Sequence, residues 1–395
     1  MEVVPSKVNV MTKIPLYRPQ DAMCHEKIDD LLSEIQKVLE SGWLSMGPRT
    51  EKFEKAFASY TGCKYAIATN NCTSALYLAL NSLRLKKKDR VVVPILTFVA
   101  TANVVRWVRA EPVFCDVAED GEIDPVELEK LLETDDTIKC VIPVHLYGFP
   151  CDIKKIGRLT KERRLWMIED CAQSQGATID DQKVGSLGDA GCFSFYATKN
   201  MTTGEGGTLV TDNKEIRVKA LLARNHGQTK TPKQKAETWK YDVVDLGFNF
   251  RMGEIEAAIG LKQLAKTDSM IQLRRETARR YKEELEKIDG IEMLHDPESE
   301  DSRKGVYHLL VVKIEKPYPL TRNKLYLHLQ KNGITTGVHF PPLHYLSYYK
   351  ETTNHKKGDF PCGERLYSKI LSLPMFPYMT DQEFQDIIRV LKMKA

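Results

Sequence analysis

The sequence predicts an α/β fold with a large, mostly parallel sheet, followed by a smaller C-terminal α+β domain. Between residues 64 and 212, short β-rich segments alternate with helical ones, which is typical of a parallel sheet covered on both faces. The chain has 395 residues, 42% of them hydrophobic, enough for a large core. We expect an N-terminal arm over 1–20, a large domain over 21–250, and a linking helix with a small domain over 251–395.

The individual elements follow from periodicity and from turn residues. In the first part of the chain, strands are predicted at residues 65–69, 90–94, 112–117, 139–144, 165–170, 190–196 and 208–211. In the second part, we predict one long or slightly broken helix over 252–288, strands at 306–314 and 333–340, and helices at 320–331 and 381–394. Residues 228–245 are polar and rich in lysine, which favours a mobile loop.

Charge and cysteine content exclude several classes of protein. The formal net charge is +4, from 58 basic and 54 acidic residues, so a nucleic-acid partner is not expected. The nine cysteines include no CxxC pair, which argues against a disulfide framework or a zinc site and fits a reducing compartment. Neither a signal peptide nor a membrane span is evident. We therefore expect a soluble cytoplasmic protein without a metal.

Lys199 follows a pattern typical of a buried strand. Phe193 and Phe195 alternate with more polar residues, and a glycine-rich turn at 204–207 comes next. A lysine at the end of a buried strand has little contact with water, which favours the neutral, nucleophilic form of its amine. An ordinary turn lysine fits the same local pattern. The residues expected around Lys199 are therefore needed to distinguish a nucleophilic lysine from an ordinary one.

Three other polar side chains are expected near Lys199, at the carboxyl edge of the sheet where such folds bind ligands. Asp170 ends a hydrophobic strand, Gln173 lies three residues further on, and Ser194 lies in the aromatic strand. A carboxylate, an amide, a hydroxyl and an amine form the set that a pyridoxal 5′-phosphate (PLP) enzyme needs. The lysine binds the cofactor covalently, the acid keeps the ring nitrogen protonated, and Phe98 can stack on the ring.

Residues 70–74, Asn-Asn-Cys-Thr-Ser, join a predicted strand to a helix. The free amides at the start of that helix, with the hydroxyls of Thr73 and Ser74, can hold a phosphate. Simple capping of the helix by Asn71 or Thr73 explains the same residues, and that alternative stays open. Neither a GxxxxGK[ST] loop nor a strand-linked GxGxxG occurs, which disfavours a mononucleotide or dinucleotide site.

Beyond these residues, the chain resembles the fold-type I, PLP-dependent nucleotide-sugar aminotransferases of the DegT/StrS type. The resemblance runs from about residue 14 to residue 388 and includes motifs at residues 47–48, 53–58, 71–76, 94–103, 143–148, 168–173, 194–207, 246–252 and 337–340. Each segment alone is weak evidence for this family, whereas the occurrence of all of them in this order is specific for it. The resemblance implies the fold-type I architecture, with the PLP site in the large domain.

The resemblance also implies roles for the residues at matching positions. Lys199 would bind PLP and then carry a proton between the cofactor carbon and the sugar carbon, which makes Lys199 and Asp170 the catalytic pair. Asp170 would pair with the pyridine nitrogen, and Gln173 would contact the phenolic oxygen of the ring. The remaining implied contacts are Phe98 over the ring, Cys72, Thr73 and Ser194 on the phosphate, Asn249 on the phosphate from the neighbouring subunit, and Arg251 and His339 on the substrate.

The function implied is transfer of an amino group from L-glutamate to a nucleotide-linked 4-keto-6-deoxyhexose, in polysaccharide or O-antigen biosynthesis, by a homodimer with shared active sites. Two positions depart from the common family pattern: Cys72 replaces a usual Gly, and Tyr196 replaces a frequent His. The tyrosine resembles perosamine-type 4-aminotransferases, which favours C4 amination. A 3-keto sugar or a keto-cyclitol as acceptor, or a non-catalytic PLP-binding regulator, remains an alternative.

Overall fold

A seven-stranded sheet forms the centre of the molecule in the computed structural model, which describes residues 14–24, 28–229, 241–299 and 301–393. The lysine-rich stretch expected to be mobile falls largely outside these residues, as does most of the expected N-terminal arm. The strands are β1 Tyr65–Thr69, β2 Arg90–Pro94, β3 Glu111–Cys115, β4 Ile138–Val141, β5 Trp166–Asp170, β6 Thr178–Ile179, β7 Gln182–Lys183, β8 Ala190–Ser194, β9 Gly207–Thr211, β10 Ile291–Met293, β11 Arg303–Lys304, β12 Leu310–Ile314 and β13 Ile370–Leu373.

Helices cover the sheet and connect its strands. In the described part of the chain they are α1 Pro19–Cys24, α2 Ile28–Ser41, α3 Pro48–Thr61, α4 Cys72–Ser82, α5 Ala100–Trp107, α6 Pro125–Thr134, α7 Ile153–Glu162, α8 Lys214–Arg224, α9 Glu254–Leu264, α10 Thr267–Leu285, α11 Arg322–Lys331, α12 Ser347–Thr352, α13 Pro361–Lys369 and α14 Asp381–Lys392. Among the described helices, we find none with the length and apolar character needed to cross a membrane.

The large sheet is mostly parallel, as the sequence predicts. Its strand order is β1-β9-β8-β5-β4-β2-β3, and only β9 runs antiparallel to its neighbours. The carboxyl ends of the parallel strands therefore meet at one edge. The segments that follow β1, β2, β4, β5 and β8 all start at this edge, and they carry most of the predicted site residues.

A second, three-stranded antiparallel sheet of β10, β12 and β13 lies in the C-terminal part of the chain and has a hydrophobic core of its own. The predicted broken helix is confirmed as α9 and α10, with the break between Leu264 and Thr267. Residues between 343 and 370 also pack into the core under the large sheet. The division of the chain at residue 250 stays a prediction.

Two expectations about the C-terminal part are wrong in detail. Residues 333–340 form no regular strand, because Ile334 and Gly337 make only isolated bridges, to Ile14 and Ser372. The strand expected at 306–314 begins only at Leu310. The preceding residues instead donate to the backbone of the large domain, with Val306 N–H bound to Gly148 O at 2.8 Å and Leu309 N–H bound to Tyr147 O at 3.1 Å.

One glycine of the large sheet allows a close backbone contact next to the site. A Cβ atom on Gly207, the first residue of β9, would lie 2.4 Å from the carbonyl carbon of Asn71 and 2.5 Å from the Cys72 nitrogen. Neither neighbour can move easily, because both belong to the backbone at the start of α4. The side-chain-free residue therefore lets β9 pack directly against the turn that opens α4.

We expect Gly207→Ala to destabilise the protein by about 1–3 kcal/mol, because the added methyl group overlaps fixed backbone atoms. Thermal unfolding measures this directly. Gly157→Ala is the matched control, since its Cβ would meet only the Met167 methyl group at 3.6 Å, within a helix that favours alanine. Equal melting temperatures for the two variants would contradict the proposed overlap.

Candidate active site

A cavity of about 710 Å³ opens at the carboxyl edge of the large sheet. All of the predicted site residues line it except Asn249 and Arg251. The residues that the sequence predicts and the structure brings together are Cys72, Thr73, Phe98, Asp170, Gln173, Ser194, Lys199 and His339. Strand order explains the clustering, because the strands that precede these residues are close together in the sheet. They are β1, β8, β5, β4 and β2, and only β9 lies among them, between β1 and β8.

The N-terminus of α4 forms one wall of the cavity. Asn71 caps this helix: its Oδ1 accepts from Ser74 N–H at 2.8 Å, and its carbonyl accepts from Ala75 N–H at 3.2 Å. The first amides of a helix have no acceptor within the helix, so those of Cys72 and Thr73 are available to an anion. Capping and phosphate binding are thus compatible here, since the cap uses amides other than these two.

Asp170 lies at the end of β5 and is only 4% exposed. Its Oδ1 accepts from Ala172 N–H at 3.0 Å, and its Oδ2 accepts from the Thr101 hydroxyl at 2.8 Å. Burial raises the pKa of this carboxyl, whereas the two hydrogen bonds and the Lys199 amine act in the opposite direction. Asp170 is therefore a buried acid that favours a cationic partner, such as a protonated ring nitrogen.

Lys199 is half-buried in a turn whose first residue is Tyr196, with Lys199 N–H bound to Tyr196 O at 2.9 Å. Burial lowers the pKa of its amine to about 8, although Cys72 and Asp170 nearby raise it. A substantial fraction of the amine is thus neutral close to physiological pH, as a nucleophile requires. The structure supports the functional interpretation of this residue over that of an ordinary turn lysine.

Gln173 has a defined side-chain orientation. Its Oε1 accepts from Tyr147 N–H at 2.7 Å, and the backbone donor fixes which end of the amide is the oxygen. The Nε2 group is left as a donor on a side chain that lines the cavity. A donor at this position suits the anionic phenolic oxygen that the resemblance assigns to it.

Ser194 and two aromatic rings complete the cofactor-sized part of the cavity. Ser194 ends β8 and its Oγ accepts from Tyr196 N–H at 3.3 Å, so its own proton can be donated to a ligand. Phe98 is 56% exposed on the cavity side, with its ring centroid 5.7 Å from that of Phe340. The amides of α4, the acid, the amide donor, the amine and an accessible ring match the groups of PLP.

Two imidazoles lie near Lys199. His339 was predicted, and its Nδ1 lies 2.9 Å from Ser372 Oγ. Burial, followed by the Lys199 charge, lowers the pKa of His339 to about 4. His308 was missed by the sequence analysis, and burial lowers its pKa well below the usual range. Both rings are therefore neutral at physiological pH and add no positive charge to the cavity.

Asn249 and Arg251 lie beside the cavity without lining it. Asn249 is exposed and forms a bridge with Asn225. The Arg251 guanidinium donates to Asn225 Oδ1 at 2.7 Å. Their segment runs along residues 70–74, the turn that opens α4, because Asn70 N–H donates to Phe250 O at 3.0 Å. Within one chain, these two residues contribute nothing to the cavity wall.

Behind the site, His145, Glu169 and Cys171 place possible metal ligands within 4.8 Å of one another. The lone pairs of Glu169 and His145 are already used in hydrogen bonds, however. Glu169 accepts from three backbone amides between residues 185 and 188 and from His145 Nε2 at 2.9 Å. His145 Nδ1 in turn accepts from Cys151 N–H at 3.2 Å. This buried hydrogen-bond network holds the loop before β8 and is structural in character.

The fold and this set of groups define a PLP-dependent aminotransferase. The chain belongs to the DegT/DnrJ/EryC1/StrS aminotransferase family, whose model matches residues 26–392. It is 39% identical over 367 residues to the spore coat polysaccharide biosynthesis protein SpsC of Bacillus subtilis, covering 91% of this chain and 93% of SpsC. Family and neighbours together show a sugar aminotransferase with PLP as its cofactor.

Solved structures agree with this membership. The PLP form of Spr1654 from Streptococcus pneumoniae superposes with a TM-score of 0.85 at 29% identity, covering 92% of this chain and 95% of that one. PseC of Helicobacter pylori, an aminotransferase involved in the biosynthesis of pseudoaminic acid, gives a TM-score of 0.85 at 28% identity, covering 91% and 95%. The predicted fold-type I architecture is thereby confirmed.

The lowered pKa of Lys199 predicts how fast the cofactor-free protein takes up PLP at different pH values. Only the neutral amine reacts, so the rate should rise with pH and level off above about 8. Stopped-flow absorbance of PLP mixed with apoprotein between pH 6 and 10 measures this, and Lys199→Ala should show no covalent uptake. A midpoint above pH 10 would mean that burial does not act on this amine as described.

Proposed function

We propose that this protein transfers the amino group of L-glutamate to C4 of a nucleotide-linked 4-keto-6-deoxyhexose. The observation that carries the proposal is the half-buried Lys199, with its lowered pKa, in a cavity that also holds Asp170 and Gln173. Tyr196 supports amination at C4: it lines the cavity and is 46% exposed, at the position where the chain resembles perosamine-type enzymes.

Each residue has a distinct task in this reaction. PLP, when bound, supplies the electron sink that lets a proton leave the carbon bearing the nitrogen. The Lys199 amine would take up that proton and return it to a second carbon, a task that suits a group with a pKa of about 8 at neutral pH. Asp170 would stabilise positive charge on the ring nitrogen, and Gln173 Nε2 would donate to the phenolic oxygen.

The phosphate of PLP would be held at the N-terminus of α4. The amides of Cys72 and Thr73, with the hydroxyls of Thr73 and Ser194, are the donors we assign to it. Because α4 is built into the core of the large domain, these donors are fixed in advance. Phe98, which lines the cavity and is exposed, would cover the ring and help to exclude water.

The charge of the cavity supports a homodimer with shared sites. Among the described residues that line it, Lys199 is the single formal cation, beside the carboxylates of Asp170 and Glu205. Glutamate, the cofactor phosphate and a nucleotide diphosphate all bring negative charge, so further donors have to come from outside this wall. We assign Asn249 of a second copy to the phosphate, as the family resemblance implies.

The surface around Asn249 suits such a contact. Val243 and Val244, in the segment before it, are 54% and 56% exposed, and Leu246 is 78% exposed. Apolar side chains that are this accessible and this closely spaced are common where a partner binds. A second copy seated here would bring Asn249 towards a cavity other than its own.

Lys199→Ala should retain the fold. In this variant, the rate at which L-glutamate converts the PLP form to the pyridoxamine 5′-phosphate (PMP) form should fall on the order of 10³-fold. Absorbance spectra of the half-reaction measure this, with the surface variant Lys130→Ala as control. The second half-reaction is then run on a panel of nucleotide-linked 4-keto and 3-keto sugars with product mapping. Turnover of 3-keto sugars alone would contradict C4 amination, and wild-type protein that keeps its PLP without transamination would indicate a regulator.

Shared sites predict complementation between two inactive variants. We expect Lys199→Ala and Asn249→Ala each to be inactive as homodimers. After mixing and exchange of subunits, about a quarter of the sites in a random 1:1 mixture are intact, because each mixed dimer has one undamaged site. Activity should therefore return towards about a quarter of wild type. No recovery despite proven exchange of labelled subunits would place Asn249 in its own chain's site.

A further inference from the structure

Thr101 lies next to Asp170 and lines the same cavity. It is in the first turn of α5 and is fully buried. Its Oγ1 is 2.8 Å from Asp170 Oδ2, 2.9 Å from Thr97 Oγ1 and 3.1 Å from Phe98 O. A hydroxyl carries one proton, so Thr101 can donate fully to only one of these three oxygens at any moment.

Charge and distance decide which acceptor receives the proton. A hydrogen bond to a carboxylate is stronger than one to a neutral carbonyl, and Asp170 Oδ2 is also the closer atom. The Thr97 hydroxyl, 2% exposed, then donates to Thr101 Oγ1. The two threonines form a chain of donors that ends on the acid, and each bond polarises the next.

We propose that Thr101, supported by Thr97, is a positioning residue that keeps Asp170 ionised and oriented for the cofactor ring nitrogen. It acts through Asp170, together with Ala172 N–H on the other carboxyl oxygen. Each oxygen then has one fixed protein donor, which prevents rotation of the carboxylate and leaves a lone pair for the cofactor. The inference rests on the role of Asp170 under the proposed function.

The chemistry of the surroundings makes such a donor necessary. Burial alone raises the pKa of Asp170, and the Thr101 hydroxyl is among the groups that lower it again. The other titratable groups that act on Asp170 are Lys199 and His145, which favour its charged form. The Asp170 charge acts in turn on the neighbouring thiols of Cys72, Cys171 and Cys192. Burial raises the pKa of each thiol well above its usual range, so the thiols stay neutral.

The test is the binding of PMP to cofactor-free protein as a function of pH. PMP carries an amine in place of the aldehyde, so it forms no bond with Lys199 and reports on the non-covalent site alone. The affinity for PMP should decrease at low pH, because Asp170 takes up a proton there. Thr101→Val keeps the shape of the side chain and removes the donor. This variant should raise the pH at which the affinity decreases by about one unit.

Two further variants separate positioning from simple packing. Thr101→Ser restores the hydroxyl and should return the acid-side fall to the wild-type pH, although it removes a methyl group. Thr97→Val leaves the Thr101–Asp170 bond intact and should give a smaller upward shift. An unchanged curve in Thr101→Val, or a serine variant that behaves like the valine variant, would overturn the proposal.

The variant Asp170→Asn tests the role of Asp170 separately from the role of Thr101. We expect weak PMP binding with no acid-side fall in that variant. If Asp170→Asn bound PMP like wild type, the role of Asp170 itself would be wrong. If it bound weakly while Thr101→Val matched wild type, only the role of Thr101 would fail. Thermal unfolding of all variants confirms that folded proteins are compared.

Discussion

A carboxylate held inside a hydrophobic sheet is the constraint on which this site depends. Asp170 is buried at the end of β5, where an unpaired charge would cost several kcal/mol. The cost is offset by donors that the fold places within reach: the Ala172 amide, the Thr101 hydroxyl and, nearby, the Lys199 amine. The same burial that makes the acid costly also lowers the pKa of the lysine, so both functional groups share one physical cause.

Glu169, the neighbour of Asp170 on β5, supports the site from the opposite face of the strand. Successive side chains of a strand point in opposite directions, so Glu169 lies behind the sheet when Asp170 faces the cavity. There Glu169 holds the amides of Gly185, Leu187 and Gly188. Those amides fix the loop that leads into β8, and β8 ends at Ser194, just before the Lys199 turn. The hidden carboxylate thus helps to place the reactive amine.

Much of this arrangement could be predicted from the sequence because its signals are local. A few neighbouring residues are enough to predict each of three features: the β-rich strand that ends in Asp170, the helix that Asn71 caps, and the alternating aromatic residues before Lys199. Parallel pairing then brings their ends together. Residues 333–340 show the limit: the segment makes only isolated bridges, to Ile14 and Ser372, and both partners are distant from it in sequence.

The residues that were missed have no local signal. His308 enters the cavity because the chain before it docks on Gly148, and Thr101 matters because of an acceptor 69 residues away. The amide of Gln173 is oriented by a backbone donor 26 residues before it. Such contacts follow from the assembled tertiary structure. Asn249 was predicted, but only through the family resemblance, because its assigned partner is in another copy of the chain.

The burial of Cys72 has a consequence for chemical selectivity. Its sulfur is close enough to Lys199 and Asp170 for their charges to act on it, in a cavity that receives an aldehyde. A thiolate there would compete with the amine for that carbonyl carbon. Burial first, and then the Asp170 charge, raise the pKa of the thiol well above its usual range. The sulfur therefore stays protonated and a poor nucleophile, so the aldehyde is left to the lysine.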